Sequence, residues 1–397
     1  MKQPLHILPI IIISQFCCIS LWFAGNAVMN DLIIDLNLDP GSLGHLISAV
    51  QLGFIAGSLV FAILTIADRF SPSKVFFVSA LLGGFFNLSF IWGVNSLAGI
   101  LFLRFFTGFF LAGIYPIGMK IAADYYEKGL GKSLGFLVGA LVLGTAIPHL
   151  LKDLTTGYSW KSVIMATTGI SFFGGVLMLL FVPNGPFRKR SQQLDFSAFF
   201  TVFKKVEFRS AAFGYFGHMW ELYAFWVFVP LMLKGYTLVN SQVTFNIPLL
   251  SFLVIGSGGF SCIAAGYLSQ RFGEKSVAFS ALFLSCLCCF ISPLMFTLSS
   301  ANLFLGFLVF WGMVVIMDSP MFSTLVAQNA VHEKKGTALT IVNCIGFAIT
   351  IFSIQIMNSL SQLTDSNNIY VILAIGPVLG LIALKSRNKP TIADKVC

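Results

Sequence analysis

Residues 214–233 read GYFGHMWELYAFWVFVPLML. A helix of about 20 residues crosses the ~30 Å hydrocarbon core of a bilayer, and most of this run would dissolve in oil. Two side chains would not: His218 and Glu221 sit near its middle. An acid at that depth costs roughly 2.5–3.5 kcal/mol to insert, so such groups face a bundle interior or a water-filled cavity. The stretch therefore reads as one helix of a polytopic bundle. Composition agrees: of 397 residues, 57% are hydrophobic and only 10% charged, with a mean hydropathy of +0.89. A soluble domain carries about 25% charged residues, and a membrane β-barrel would show short alternating segments instead.

Twelve apolar blocks follow one another at 7–29, 43–66, 75–94, 97–119, 134–151, 161–183, 210–233, 248–269, 276–297, 302–326, 337–360 and 369–385. With the N-terminus placed in the cytoplasm, 20 lysines and arginines fall in inside segments and three (Lys152, Lys161, Lys234) outside, leaving Arg104 within a block. That bias sets the orientation, with both termini cytoplasmic. It also accounts for the net charge of +9 without a nucleic-acid partner. Of eight cysteines, seven lie inside apolar blocks, where a thiol behaves as a small hydrophobe. The first block lacks a cleavage signature and reads as a retained helix. Residues 184–209 read as a cytoplasmic linker with an amphipathic run on the inner leaflet. They divide the chain into a six-helix bundle at 1–183 and another at 210–385, with a cytoplasmic tail at 386–397.

The halves echo each other. Arg69 in ADRFSPSKV and Arg271 in GYLSQRFGEKSV are 202 residues apart, Pro116 and Pro320 are 204 apart, and Gly131 and Gly336 are 205 apart. Duplicated halves of this kind place a transport site at their interface.

At these residues the sequence resembles the major facilitator superfamily, along the whole chain. The loop pattern G-x-L-x-D-R-x-G-R-K-x is matched in its second copy by Gly266, Arg271, Gly273 and Lys275, with Gln270 in place of the aspartate; the first copy keeps Asp68 and Arg69. RFFTGFFLAG is similar to the R-x-x-x-G motif through Arg104 and Gly108, and GFLVGALVLG partly resembles an antiporter pattern through Gly135, Gly139 and Gly144. GHMWELYAFW and DSPMFSTLVA look like a less characterised bacterial branch. The resemblance implies an all-α transmembrane fold of 12 helices in two pseudo-symmetric bundles. Helices 1, 4, 7 and 10 would surround a central cavity. Asp68, Arg69 and Arg271 would act in gating, with Asp68 meeting the N-terminal end of helix 11 near Thr337, where the helix dipole attracts an anion.

The buried polar residues carry the functional reading. His218 lies one turn before Glu221 on the same helical face. Both can titrate, so together they either load and unload a proton or form a structural pair that pins the helix. Arg104 is permanently charged and can grip a carboxylate bidentately; it is either an anion hook or the partner of Glu221 or Asp318. Asp318, beside Pro320, either caps the kink that proline imposes or faces the cavity. Gln15, Asn26 and Tyr223 complete the candidate substrate contacts. His45 and His149 read as interfacial, and Lys120 can snorkel to the surface.

A secondary transporter follows, monomeric, in the bacterial cytoplasmic membrane. It moves a small anionic organic solute with protons, or alternatively exports amphipathic drugs or metabolites by proton antiport. A Walker A sequence is absent, so a gradient supplies the energy. The competing class is an intramembrane zinc enzyme built on His218, Glu221 and Asp318, which the absence of H-E-x-x-H and the repeated halves disfavour. No cofactor, metal or catalytic set is expected.

Overall fold

The computed structural model describes residues 6–39, 41–92, 96–126, 130–188, 202–331, 335–364 and 366–385. The described residues form helices and no strand. We number the twelve spans in chain order. α1 is Ile7–Ile19, continued after an interruption by Ala24–Ala27 and Met29–Asp35; α2 is Ser42–Ile63 and α3 Pro72–Ser89. α4 comes in two pieces, Leu97–Leu111 and Tyr115–Tyr125, followed by α5, Leu130–Leu154, and α6, Lys161–Phe181. The second half holds α7 (Val206–Val239), α8 (Ile247–Phe272), α9 (Glu274–Thr297), a divided α10 (Ala301–Met317 and Ser319–Asn329), α11 (Lys335–Leu363) and α12, a 3-10 turn at Asn367–Ala374 leading into Ile375–Lys385. Ten of these are long and apolar enough to cross a membrane, and α1 and α3 complete the set of twelve. Linker residues 189–201 and the tail 386–397 lie outside the described residues.

The breaks in α4 and α10 occupy equivalent places. Tyr115-Pro116 and Ser319-Pro320 each put proline in the first turn of the second piece, where its missing N–H removes no helical bond. The interruption in α1 has no proline. The apolar block 7–29 reads as one helix, but the chain leaves helical geometry between Ser20 and Phe23. There the Ser20 hydroxyl donates to Cys17 O at 2.7 Å and Thr167 O at 3.4 Å. Such side-chain bonds compete with the helical ladder, and the freed carbonyls find a partner described below.

Within each half, α2 packs along α4 and α3 along α6; between halves, α5 packs along α8 and α2 meets α11. Small residues permit these approaches. A Cβ on Gly108 would collide with the backbone carbonyl of Val50, and one on Gly53 with that of Phe105. Gly139 lies less tightly against the Gly259 carbonyl, 2.9 Å from where a Cβ would stand, and Gly144 against α1 at Phe16 and Ile19. The glycines that resemble an antiporter pattern thus serve helix packing.

Gly108→Ala should therefore lower the melting midpoint of the detergent-solubilised protein by the equivalent of about 1–3 kcal/mol. Gly169→Ala, on an exposed face of α6 with open space around the position, should leave it unchanged or slightly higher. Equal midpoints for the two variants would contradict the close α2–α4 crossing.

Candidate functional site

Arg104 lies on the first piece of α4 and is 2% exposed. Its guanidinium donates to Trp22 O at 2.7 Å, Leu21 O at 3.1 Å and Asn87 Oδ1 at 3.1 Å. The two carbonyls are those released where α1 breaks, so the cation caps a helix C-terminus whose dipole favours positive charge. Asn87 on α3 is held in turn by donating to Thr168 Oγ1 at 3.0 Å, Thr167 Oγ1 at 3.2 Å and Ile164 O at 3.3 Å. Arg104 thus ties α1, α3, α4 and α6 together. No carboxylate among the described residues pairs with it, so the salt bridge to Glu221 or Asp318 entertained from sequence is not formed. Sequence reading missed Asn87; a lone amide in the apolar run GGFFNLSF was the available signal.

In the second half, His218 and Glu221 are both 1% exposed, but they do not pair with each other. His218 Nδ1 lies 2.7 Å from Asp318 Oδ1. Asp318 is the residue between the two pieces of α10; its side chain makes no capping bond and turns to α7 instead. Glu221 accepts from Trp311 Nε1 at 2.7 Å, Ser285 Oγ at 2.8 Å and Cys289 Sγ at 3.3 Å. Three neutral donors from α9 and α10 therefore hold this carboxyl, with no cation beside it. The sequence could not announce Trp311 or Cys289 as partners, because each looks like ordinary packing in an apolar block. The charges of the two halves do not converge on one another: Arg104 is satisfied within the first, Glu221 and Asp318 within the second.

The surfaces that do meet between halves are mostly neutral. Trp22 stacks on Tyr223 and Phe347 with ring centroids 5.7 and 5.6 Å apart, and Phe54 lies 4.9 Å from Trp22 and 4.5 Å from Phe347. Phe23 meets Trp226 edge-on at 6.3 Å. Tyr223 therefore sits in an aromatic plug. Hydrogen bonds between the halves gather at the end of the bundle farther from the chain termini. Asn358 Nδ2 donates to Gly41 O at 3.0 Å, Gln355 Nε2 to Ser48 Oγ at 2.8 Å, and Asn246 Nδ2 to Asp153 Oδ1 at 2.6 Å.

The remaining candidates are placed as follows. Gln15 is buried, its Nε2 donating to Leu137 O at 3.2 Å on α5. Asn26 is buried beyond the interruption in α1. Asp68 is paired with Lys120 at 2.9 Å, inside its own half, in place of the expected contact with the first turn of α11. Arg69 Nε donates to Thr65 Oγ1 at 3.3 Å, and Arg271 lies over the Phe272 ring. Arg188, at the start of the linker, donates to Phe70 O at 2.8 Å and Asp68 O at 3.0 Å. His149, expected at the interface, is instead 2% exposed. Among the described residues no group of three or more His, Cys, Asp or Glu side chains is placed to hold a metal.

Comparison with known proteins supplies the family. Efflux pump FUB11 of Gibberella moniliformis is 27% identical over 199 residues, covering 47% of this chain and 32% of that protein. The 4-hydroxybenzoate transporter PcaK of Pseudomonas aeruginosa is 26% identical over 160 residues, covering 38% of this chain and 33% of that one. The chain thus spans about a third of the length of these curated relatives. Among solved structures, a bacterial homologue of the human lysosomal transporter Spinster, in an inward-facing and unoccupied conformation, superposes with a TM-score of 0.75 at 12% identity, covering 98% of this chain and all of that one. The family model for the Major Facilitator Superfamily matches residues 11–354. The chain is a multi-pass membrane protein that belongs to the Major Facilitator Superfamily of transporters.

Proposed function

We propose that this protein is a secondary active transporter of the bacterial cytoplasmic membrane, acting as a monomer, that moves a small organic anion by alternating access coupled to protons. The observation that carries the reading is the seam. The two halves are joined at one end by aromatic stacking and neutral hydrogen bonds. Neutral hydrogen bonds are worth about 0.5–1.5 kcal/mol each net, and aromatic pairs about 0.5–1.5 kcal/mol. A handful of these is comparable to the ~5.5 kcal/mol that carries a two-state equilibrium from 1:99 to 99:1, so ligand and proton binding can open and close such a seam. On the positive-inside orientation the joined end is external, and this state faces the cytoplasm.

Arg104 supports an anionic solute, because it is a buried charge with no carboxylate among the described residues paired to it. The 4-hydroxybenzoate transporter among the relatives is named for a substrate of that class. His218 and Glu221 are the proposed proton carriers, and Asp318 joins them because His218 rests on it at the point where α10 breaks. A proton arriving on Asp318 weakens the tie between α7 and that hinge. Asp68, Arg69 and Arg271 are the proposed gating residues. Export of amphipathic compounds by proton antiport is a second reading, favoured by the efflux-pump relatives; uptake into right-side-out against inside-out vesicles distinguishes the two.

In proteoliposomes with an imposed pH gradient, Asp318→Asn and Glu221→Gln should each lose at least tenfold in accumulation while retaining solute counterflow. Undiminished accumulation by both variants would remove the proton assignment. Ser48→Cys with Gln355→Cys should form a disulfide under mild oxidant and arrest transport until reductant is added. Full transport by the cross-linked protein would contradict a seam that must open.

A further inference from the structure

Around the interruption in α1, six buried side chains carry polar atoms without a partner: Trp22 Nε1, Asn26 Nδ2, Gln51 Nε2 and Oε1, His149 Nε2, Trp226 Nε1 and Ser251 Oγ. Each residue is more than nine-tenths buried. Leaving a buried polar group unsatisfied costs about 1–3 kcal/mol, so six in one region call for an occupant.

They do share one region. Gly25 lies against Arg104, with the position of a Cβ 3.4 Å from the Arg104 Nε. Trp22 packs on Phe54, and Gln51 is one helical turn from Phe54 on the same face of α2. On α5, Gly144 contacts Ile19 while Lys152 pairs with Asp31, so His149 runs beside the stretch of α1 that holds Trp22 and Asn26. Along the α5–α8 seam, Gly256 faces Ala146 and Asn246 bonds Asp153, which puts Ser251 at the level of His149. Trp226 meets Phe23 from α7. Side chains from five spans of both halves thus surround the break, on the joined side of the Trp22–Tyr223–Phe347 plug.

Most of the unpartnered atoms donate. The two indole N–H groups and the two amide nitrogens have no other capacity, and His149 and Ser251 can each donate or accept. Beside them is the Arg104 guanidinium, which no carboxylate among the described residues neutralises. Donors in excess together with a cation held only by neutral oxygens recognise an anion rich in acceptor atoms.

We infer that this layer is a binding site for a small anion, a carboxylate flanked by the rings of Trp22 and Trp226. Ligand delivery rests on the transporter reading above, but binding does not. Gln51, His149, Trp226 and Ser251 thereby become recognition residues, and the layer forms the half of the solute path that lies beyond the plug.

The test is thermal unfolding of the full-length solubilised protein titrated with sodium benzoate, with neutral benzamide, and with sodium chloride at matched ionic strength. Benzoate should raise the midpoint saturably and benzamide should not. Gln51→Leu and Asn26→Leu remove unsatisfied atoms, so their ligand-free midpoints should hold or rise, while their apparent benzoate affinity falls about tenfold. A saturable chloride shift that competes with benzoate supports the same anion site with a free halide as its occupant. Absence of any saturable anion shift, or benzoate affinity in both leucine variants equal to that of the unsubstituted protein, overturns the inference. Solute counterflow by the same preparation reads transport separately, so a protein that transports without these shifts loses this site and keeps its function.

Discussion

A charge buried at membrane depth is costly to strip of its partners, and here the buried charges keep theirs inside one half. Arg104 is held by α1 and α3, Glu221 by α9 and α10, and His218 by Asp318. What crosses between the halves is aromatic stacking and mostly neutral hydrogen bonding. The halves can therefore part at the seam without unpairing a buried ion, which would otherwise add several kcal/mol to each opening. Strong interactions keep each bundle rigid, and weak ones set how the bundles meet.

The interruption in α1 couples these two levels. It releases the carbonyls of Leu21 and Trp22, and Arg104 takes both. The same turn projects the Trp22 ring into the plug against Tyr223 and Phe347. The group that locks the first bundle internally is thus bonded to the backbone of a residue that closes the seam. Any group that displaced these carbonyls from the guanidinium would act directly on the plug. The breaks in α4 and α10 give the two bundles equivalent joints, and the second joint carries Asp318.

Much of the fold was legible in the sequence, because block length and the near-constant offsets of Pro116/Pro320 and Gly131/Gly336 are requirements of a duplicated helical bundle. The breaks in α4 and α10 were marked by proline. The break in α1 was not, since it depends on Ser20 and on an arginine more than eighty residues away. For the candidate site, the residue types were visible and their pairings were not. His218 and Glu221 share a helical face, so sequence pairs them, yet each finds a better partner on a neighbouring helix. Gln51 and His149 drew no functional reading because one polar residue in an apolar block looks the same whether or not its side chain meets a partner. Trp311 and Cys289 pass for packing for a related reason: their polarity is a single atom.

Rocking of the two bundles about a mostly neutral seam can be read as distance. Spin labels at Leu154 and Leu238 report the joined end, and labels at Phe70 and Phe272 the opposite end; all four positions are exposed. Double electron–electron resonance on each labelled pair, across a pH step and with added solute, should show the two distance distributions shifting in opposite directions, one lengthening as the other shortens. Distributions that stay fixed at both ends, or that lengthen together, would contradict the account.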